Sequence, residues 1–343
     1  MRVRFFLGFL LLALPNISFS QFSVTGYILD AISNEPLQGV SIFYDGTTIG
    51  TITDENGFFK METPKLMTTN LVISYIGYET RVLEGSKTGF LENILLKEEV
   101  FRLDEVVLRP DTWSREKKLA IFRREFLGKT SASLKCKILN EDDIRLYYNK
   151  DENKLYAYAV KPIRVKNDFL GYRLTYGLHD FEVLFQNTLS GLRLPYSTYM
   201  AGIVFFSELN AKKLKKKHAK RREELYSGSI LHFMRALSKK HLVEEGFKIF
   251  KDKFQVEPYS EFYIKKANPL TEISQNTEKL SILYKNIEQS SIEIEGTTFY
   301  IDEYGNHSPP DRILFGGEMG KSRVGDLLPL DYGTTVLEGM ESN

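Results

Sequence analysis

The sequence predicts an all-β antiparallel sandwich followed by an α+β domain. Short apolar runs rich in Val, Ile, Phe and Tyr recur between residues 24 and 96. Clusters of Gly, Pro, Asn and Asp separate these runs at intervals of roughly ten residues, a spacing typical of small sandwiches. Farther along, helical periodicity between residues 208 and about 247 interrupts further strand-like segments, which predicts the α+β domain.

The sandwich is predicted to contain about seven short strands. Their predicted ranges are 24–29, 40–44, 48–53, 58–61, 71–75, 78–83 and 93–96. Residues 54–57, with the sequence DENG, predict a hairpin turn between two of them. Asn56 and Gly57 tolerate the positive φ of such turns, and Asp54 can accept hydrogen bonds from nearby backbone amides.

These residues also resemble a known family. The runs GYILD, PLQGVSI, GTITDENGFF and ISYIGY, in this order, are similar to the carboxypeptidase regulatory-like domain. This domain is a transthyretin-like sandwich common in envelope proteins of Bacteroidetes-type bacteria. The resemblance implies that fold and an envelope location. It implies no activity, because the family's domain is joined to many unrelated partners, including TonB-dependent transporters.

The N-terminus predicts export. Two arginines precede the apolar run 5–14, and Ser18 and Ser20 occupy the −3 and −1 positions of a cleavage site before Gln21. The run is shorter than the roughly 20 residues that span a bilayer. We therefore expect a mature protein that is periplasmic or associated with the outer membrane, without a transmembrane span.

Length and spacing predict the domain boundaries. A chain of 343 residues favours two domains. We predict a signal peptide at 1–20, the sandwich at 21–98, a linker at 99–116 and the α+β domain at 117–343. Residues 103–107 (LDEVV) resemble the stretch that leads into the plug and barrel of transporters. The remaining chain is too short for a large barrel, which excludes the transporter interpretation.

Composition narrows the classes of partner. The 46 basic and 45 acidic residues give a net charge of +1, so the chain as a whole has no positive electrostatic potential that would attract nucleic acid. Cys136 is the sole cysteine, which excludes an intrachain disulfide and favours a packed strand residue.

The second domain is predicted to begin with an amphipathic helix over residues 113–127, closed by Gly128. Predicted strands follow at 135–139, 144–149, 154–160, 172–178 and 181–186, with more strands between 262 and 301.

His241 and Glu244 have the H-x-x-E spacing of a zinc carboxypeptidase. A catalytic zinc needs a third protein ligand, and the only later histidine, His307, lies in a proline-containing segment. The helix is predicted to run to Gly246, which places His241 on an apolar stripe and favours packing. The stripe consists of Ile230, Phe233, Met234, Leu237 and His241. The sequence thus predicts no metal, cofactor or catalytic residue.

Two other motifs also favour structural roles. Residues 315–322 imitate a phosphate loop, but Phe315 stands where the motif needs its first glycine. Ser229 and His232 could supply a nucleophile and a base, yet their spacing advances around a helix. Ser229 is better explained as a helix N-cap.

The densest run of charge predicts a surface helix. Lys, Arg and the Glu residues that follow are strong helix formers, which favours a solvated face. Docking to anionic lipid or lipopolysaccharide phosphate is the functional alternative, since basic residues gain free energy at anionic surfaces. The run comprises Lys212, Lys213, Lys215, Lys216, Lys217, Lys220, Arg221 and Arg222.

These observations predict an exported, non-enzymatic envelope protein with a binding or assembly role. Its expected partner is a protein or the envelope surface, including anionic lipid. The alternative is an envelope hydrolase in the second domain, acting either as a metallopeptidase at His241 and Glu244 or on glycans.

Overall fold

The computed structural model describes residues 22–63, 65–85, 88–99, 113–189, 192–210 and 214–334. The predicted signal peptide and cleavage site, residues 103–107, Lys212 and Lys213 lie outside these ranges. Within the described ranges, no helix has both the length and the apolar character needed to span a bilayer.

The N-terminal part is a sandwich of eight short strands. They are β1 (Phe22–Asp30), β2 (Ser41–Tyr44), β3 (Gly50–Ile52), β4 (Phe58–Thr63), β5 (Leu71–Ser74), β6 (Arg81–Leu83), β7 (Gly89–Phe90) and β8 (Ile94–Leu96). One sheet has the order β4-β1-β7, with β8 also paired to β1, and the other has the order β3-β2-β5-β6. Alternate residues along β1, such as Val24 and Ile28, are buried and pack against Ile42 and Ile73 of the second sheet.

The predicted sandwich is confirmed, with one change in strand direction. Strands β7 and β8 pair with β1 in parallel, whereas antiparallel pairing was predicted throughout. Both strands follow β6, which belongs to the other sheet. The chain therefore crosses between the sheets before it meets β1, and such crossovers allow parallel pairing.

The turn at residues 54–57 forms with different connections from those predicted. Asp54 Oδ1 accepts hydrogen bonds from the Asn56 and Phe58 amides, both at 2.9 Å, and Gly57 has φ 70°. The flanking strands β3 and β4 lie in different sheets, so the predicted hairpin is wrong. A Cβ on Gly57 would lie 2.5 Å from the Ile28 carbonyl oxygen, so this crossing requires glycine.

The next part packs a helix on a sheet. Its elements are α1 (Arg115–Leu127), β9 (Cys136–Ile138), β10 (Ile144–Asn149), β11 (Lys154–Ala159), β12 (Ile163–Asn167), β13 (Tyr172–Asn187) and β14 (Arg193–Glu208). The sheet order is β10-β11-β13-β12-β9, and β14 pairs along β13. Ser114 caps α1 by accepting from the Lys117 amide, and Gly128 ends it as predicted. Buried Phe122 and Phe126 fix the helix on the sheet.

Strands β13 and β14 form a long hairpin that the sequence did not predict. Each strand has 16 residues, and a bulge lies between Leu178 and Asp180 of β13. Opposite the bulge, a Cβ on Gly202 would lie 2.5 Å from the Gly177 carbonyl oxygen and 2.4 Å from the Tyr176 ring. Two predicted strands at 172–178 and 181–186 are therefore one bent strand.

The last part combines helices with two further sheets. Its helices are α2 (Lys216–Tyr226), α3 (Ile230–Lys239), α4 (Pro258–Glu261) and α5 (Gly317–Gly320). Its strands are β15 (Phe247–Lys251), β16 (Phe254–Val256), β17 (Phe262–Ala267), β18 (Leu270–Gln275), β19 (Lys279–Tyr284), β20 (Glu288–Ile294), β21 (Thr298–Ile301), β22 (His307–Ser308) and β23 (Ile313–Gly316). The sheet orders are β16-β15-β19-β20-β23 and β17-β18-β21-β22.

Helix α3 packs its apolar face on these sheets but ends earlier than predicted. Ser229 accepts from the His232 amide and caps the helix, as predicted. The helix ends where Lys240 adopts a left-handed conformation with φ 62°, not at Gly246. His241 therefore leaves the predicted apolar stripe and is exposed. Strands predominate after residue 113, so the α+β description of this region stays a prediction.

Candidate functional site: the groove between the sandwich and the long hairpin

The sandwich contacts the rest of the protein through the outer face of its second sheet. Phe43 and Val72 point away from the sandwich core and pack against Ile203 and Phe205 of β14. The rings of Phe43 and Phe205 lie 4.9 Å apart. A Cβ on Gly50 would lie 2.9 Å from the Phe205 ring, so the bare glycine permits this close approach.

The loop between β2 and β3 is bonded to β14 through its backbone. The Gly46 amide donates to the Val204 carbonyl at 2.7 Å, and the Phe206 amide donates to the Thr47 carbonyl at 2.9 Å. The Val204 amide also donates to Asp45 Oδ1 at 2.7 Å. Burial raises the pKa of the Asp45 carboxyl, although its hydrogen bonds oppose that shift.

Arg235 on α3 joins the same region from the other side. Its guanidinium donates to the carbonyls of Tyr304, Leu330 and Tyr332 at 2.8, 2.7 and 2.8 Å. The Leu330 amide in turn donates to the Gly46 carbonyl at 2.7 Å, and Tyr304 is buried in the sandwich core. A single buried cation thus organises the backbone that holds the sandwich in place.

A groove of ≈ 680 Å³ opens beside these contacts. Its floor is apolar and includes Phe43, Val72 and Ile203, while its rim carries ionisable side chains. The rim groups are Glu79 and Glu99 from the sandwich and Lys161 and His179 from the second part. The volume lies in the range of ligand sites, and an apolar floor inside a polar rim is the usual arrangement of a protein interface.

The structure divides the predicted basic run. Lys215, Lys216, Lys217 and Lys220 are exposed. Arg222 is 3% exposed, forms two hydrogen bonds with Glu208 at 2.8 and 2.7 Å, and lies 3.7 Å from the Tyr172 ring centre.

Arg221 is half-buried and lies over the Phe169 ring at 4.2 Å. Arg222 therefore packs inside the protein and Arg221 packs against Phe169, where the sequence predicted an exposed face. The role at an anionic surface stays a prediction for the lysines.

The residues of the hydrolase alternative do not converge. His241 and Glu244 are both exposed in the turn after α3. Buried His232 accepts from the Gly228 amide at Nδ1 and contacts Glu245 through Nε2, both at 3.1 Å, while burial lowers its pKa. Among the described residues, no three His, Cys, Asp or Glu side chains gather in a metal-binding cluster.

Residues 315–322 form a strand end and a one-turn helix. A Cβ on Gly317 would lie 2.3 Å from the Gln289 carbonyl oxygen, and one on Gly320 would lie 2.3 Å from that of Phe315. These glycines allow close backbone packing, so the glycine-rich sequence is explained without a bound phosphate.

Cys136 is half-buried on β9, and burial raises its thiol pKa to about 12.

The sequence analysis missed the residues of the groove, although a signal for them exists. In β2 and β5, the triplets Ile42-Phe43-Tyr44 and Leu71-Val72-Ile73 are buried at every position. Consecutive apolar residues in an antiparallel sheet indicate that both of its faces are covered. The triplets therefore indicated that a further part of the chain covers this sheet.

The fold and the match to known families define the N-terminal part as a carboxypeptidase regulatory-like β-sandwich. Residues 24–108 match the family model of the CarboxypepD_reg-like domain, so the chain carries this domain. Over 88 residues the chain is 35% identical to the TonB-dependent receptor SusC of Bacteroides thetaiotaomicron. That alignment covers 26% of the chain and 8% of the receptor, a small part of the receptor's length.

Two solved structures show weaker likenesses. A chain of a type II cohesin–X-dockerin complex from Acetivibrio cellulolyticus is 27% identical with a TM-score of 0.20, covering 22% of this chain and 56% of that chain. A Bacteroides uniformis protein described as carbohydrate-binding is 8% identical with a TM-score of 0.18, covering 82% of this chain and 98% of that chain. TM-scores this low support no argument about fold or function.

Proposed function

We propose that this chain is an exported, non-enzymatic envelope protein with a binding or assembly role. The observation that carries the proposal is the groove of ≈ 680 Å³, which the CarboxypepD_reg-like sandwich and the long hairpin line together. In this proposal the sandwich comprises residues 21–98, a linker comprises 99–116, and an α+β domain comprises 117–343.

The envelope location is supported by the shared domain. SusC is a TonB-dependent receptor, and part of its sequence is similar to this chain. The predicted signal peptide supports the same location. Sequencing the mature N-terminus tests export, with Gln21 as the expected first residue, and a product from the envelope fraction that still begins at Met1 would contradict this cleavage.

A protein segment suits the groove as partner. Ile52 and Val160 line the groove above its packed floor and are 65% and 37% exposed, so they can bury apolar side chains of the partner. Glu79 and Lys161 on the rim offer charges of both signs. Protein interfaces combine an apolar centre with a polar rim in this manner. Charges of both signs can also orient the bound partner, because each attracts an opposite charge on the partner's surface.

Site-specific crosslinking tests this binding role. Ile52 lines the groove and is 65% exposed, so a photoreactive amino acid placed there faces the expected partner. Ile32 is 83% exposed and lies outside the groove, which makes it a matched control. We expect a discrete crosslinked protein in intact cells from position 52 and not from position 32. Identical products from both positions, or none from position 52, would contradict the proposal.

A further inference from the structure

A second cleft lies between helix α1 and the far half of the long hairpin. Its volume is ≈ 540 Å³. Lys117, Ile121 and Arg124 follow one another at intervals of four and three residues, so they line one face of α1. Arg193 and Leu194 of β14 form the opposite wall. This cleft is separate from the groove of the proposed function, and its residues do not overlap with those of the groove.

Three cations meet in this cleft. The Lys117 ammonium lies 3.7 Å from the centre of the Trp113 ring, which also stacks on Tyr148 at 3.8 Å. Arg193 Nη1 donates to the Tyr148 hydroxyl at 2.8 Å, and that hydroxyl donates to Asn153 Oδ1 at 2.6 Å.

These contacts hold two of the cations in fixed positions. Arg124 is the third cation, and its Nε donates to Glu125 at 2.8 Å. Among the described residues that line the cleft, none carries a carboxylate. Glu125 offsets the charge of Arg124, so the positive charge of the cleft comes chiefly from Lys117 and Arg193.

The cations stand beside an exposed apolar surface at the hairpin end. Leu192 and Leu194 are 63% and 53% exposed, and Tyr196 and Tyr199 are 69% and 55% exposed. Leu189, two residues after the end of β13, is fully exposed. Exposed apolar surface next to polar groups marks binding sites for proteins or membranes, and tyrosines are enriched where an apolar phase meets water.

We propose that this cleft and the exposed leucines beside it dock on an anionic lipid surface. The phosphate of a lipid headgroup binds between Lys117, Arg124 and Arg193, while Leu192 and Leu194 contact the acyl region. Basic residues and exposed apolar side chains each add free energy at an anionic bilayer. A free phosphate ion would satisfy only the cations, whereas a lipid also covers the leucines and tyrosines.

The single tryptophan of the sequence, Trp113, lines this cleft and reports on its occupancy. The test adds vesicles of phosphatidylcholine, with or without phosphatidylglycerol, to the full chain. We expect a shift of Trp113 emission, and quenching by brominated acyl chains, only with the anionic vesicles. The binding should weaken at high salt, because exposed charges are screened over roughly 10 Å at 0.1 M.

Variants separate this site from the basic run of α2. The double variant Lys117→Gln/Arg193→Gln should bind anionic vesicles at least roughly tenfold more weakly. Leu194→Ser, at an exposed position, provides a second test that leaves the charges intact, and it should also weaken binding. The variant Lys215→Gln/Lys216→Gln/Lys217→Gln tests the predicted role of α2 separately. The matched control Lys239→Gln/Lys265→Gln removes charge at exposed positions outside the cleft and should bind as the parent does.

Three results would overturn the inference. Parental vesicle binding by both the double variant and Leu194→Ser, each folded by circular dichroism, would exclude the cleft. Equal binding to neutral vesicles would exclude the headgroup phosphate. If inorganic phosphate alone produced the full Trp113 shift and blocked vesicle binding by the parent without any effect of Leu194→Ser, the site would bind a small anion and not a lipid. None of these outcomes bears on the crosslinking from Ile52, so the two proposals are tested independently.

Discussion

Thr48 and Asp331 are separated by 283 positions in the sequence and are joined by two hydrogen bonds. The Thr48 amide donates to Asp331 Oδ1 at 2.8 Å, and the Thr48 hydroxyl donates to Oδ2 of the same carboxylate. Asp331 is 4% exposed and lies between Leu330 and Tyr332, whose carbonyls accept from Arg235. The loop after β2 is thus fixed by the last described segment of the chain.

Loss of the Asp331 carboxylate should destabilise the protein. In Asp331→Ala the half-buried Thr48 amide and hydroxyl lose their acceptor, which should cost about 1 kcal/mol or more. Asp311→Ala at an exposed position is the control and should change the free energy of unfolding by less than about 0.5 kcal/mol. Urea denaturation measures both variants. Equal stability of the two variants would show that these hydrogen bonds contribute nothing.

The basic run should separate into one structural and several solvated residues. Arg222→Gln breaks the ion pair between buried Arg222 and half-buried Glu208 and should cost about 1.5 to 3 kcal/mol of unfolding free energy. Lys216→Gln, the same substitution on an exposed residue of α2, should leave the melting temperature unchanged. Thermal unfolding followed by circular dichroism compares them. A similar melting temperature for the two variants would contradict the structural role of Arg222.

Two glycines in the long hairpin should respond differently to alanine. A Cβ at Gly202 would meet the Gly177 carbonyl at 2.5 Å, while a Cβ at Gly177 would have its nearest neighbour, the Ile203 carbonyl, at 3.8 Å. Overpacking of this kind costs about 1 to 3 kcal/mol, so Gly202→Ala should be the less stable variant. Chemical denaturation of the two variants measures their free energies of unfolding. A Gly202→Ala variant more stable than Gly177→Ala would show that the bulge can open.

Asp45→Asn should alter the pH dependence of stability. Burial raises the pKa of Asp45 above the ordinary value of 3.8. The folded state therefore keeps a proton that the unfolded state releases, and the free energy of unfolding falls as pH rises through that window. Asparagine keeps an acceptor for the Val204 amide and does not titrate, so the variant should gain stability relative to the parent as pH rises from about 4 to 7.

Urea denaturation across this pH range checks the effect of Asp45→Asn. Burial also raises the pKa of Asp302 and Asp326, so part of the parental slope should remain in the variant. Asp142→Asn, an exposed control, should follow the parent throughout. A constant stability difference between Asp45→Asn and the parent would contradict the prediction.

Residues 22 to about 98 should fold on their own, because their strand and turn pattern closes before Pro110. Limited proteolysis of the full chain should cut between Glu98 and Trp113. The isolated segment should show a β-type circular dichroism spectrum but reduced solubility, since Phe43 and Val72 lose the cover of β14. An unfolded isolated segment would place the boundary elsewhere.

Local chemistry accounts for the parts of the fold that the sequence predicted. Ser229 and Gly128 act at helix ends as expected, since capping depends on neighbouring backbone groups. Strand β14 was not predicted, because Pro195 and Gly202 interrupt its pattern and its pairing with β13 supplies the hydrogen bonds. The sequence also could not separate Arg222 from the lysines, because its partner Glu208 is brought near by tertiary packing.

Sequence analysis predicted less of the candidate site than of the fold. Phe43 and Ile203 lie in different parts of the chain, and their contact depends on how the sandwich meets the hairpin. The fully apolar triplet around Phe43 indicated a covered face but could not identify what covers it. The three cations of the second cleft come from two elements, α1 and β14, so no local motif joins Arg193 to Lys117 and Arg124.

The position of Arg235 has a consequence for biosynthesis. The carbonyls of Leu330 and Tyr332 that it binds lie 95 and 97 residues farther along the chain. A polypeptide made from its N-terminus can complete the sandwich and the hairpin long before these acceptors emerge. Until then the guanidinium must stay hydrated, and the loop after β2 has only β14 to hold it. The final alignment of the parts is therefore a late event, completed only after residues 330–332 have been synthesised.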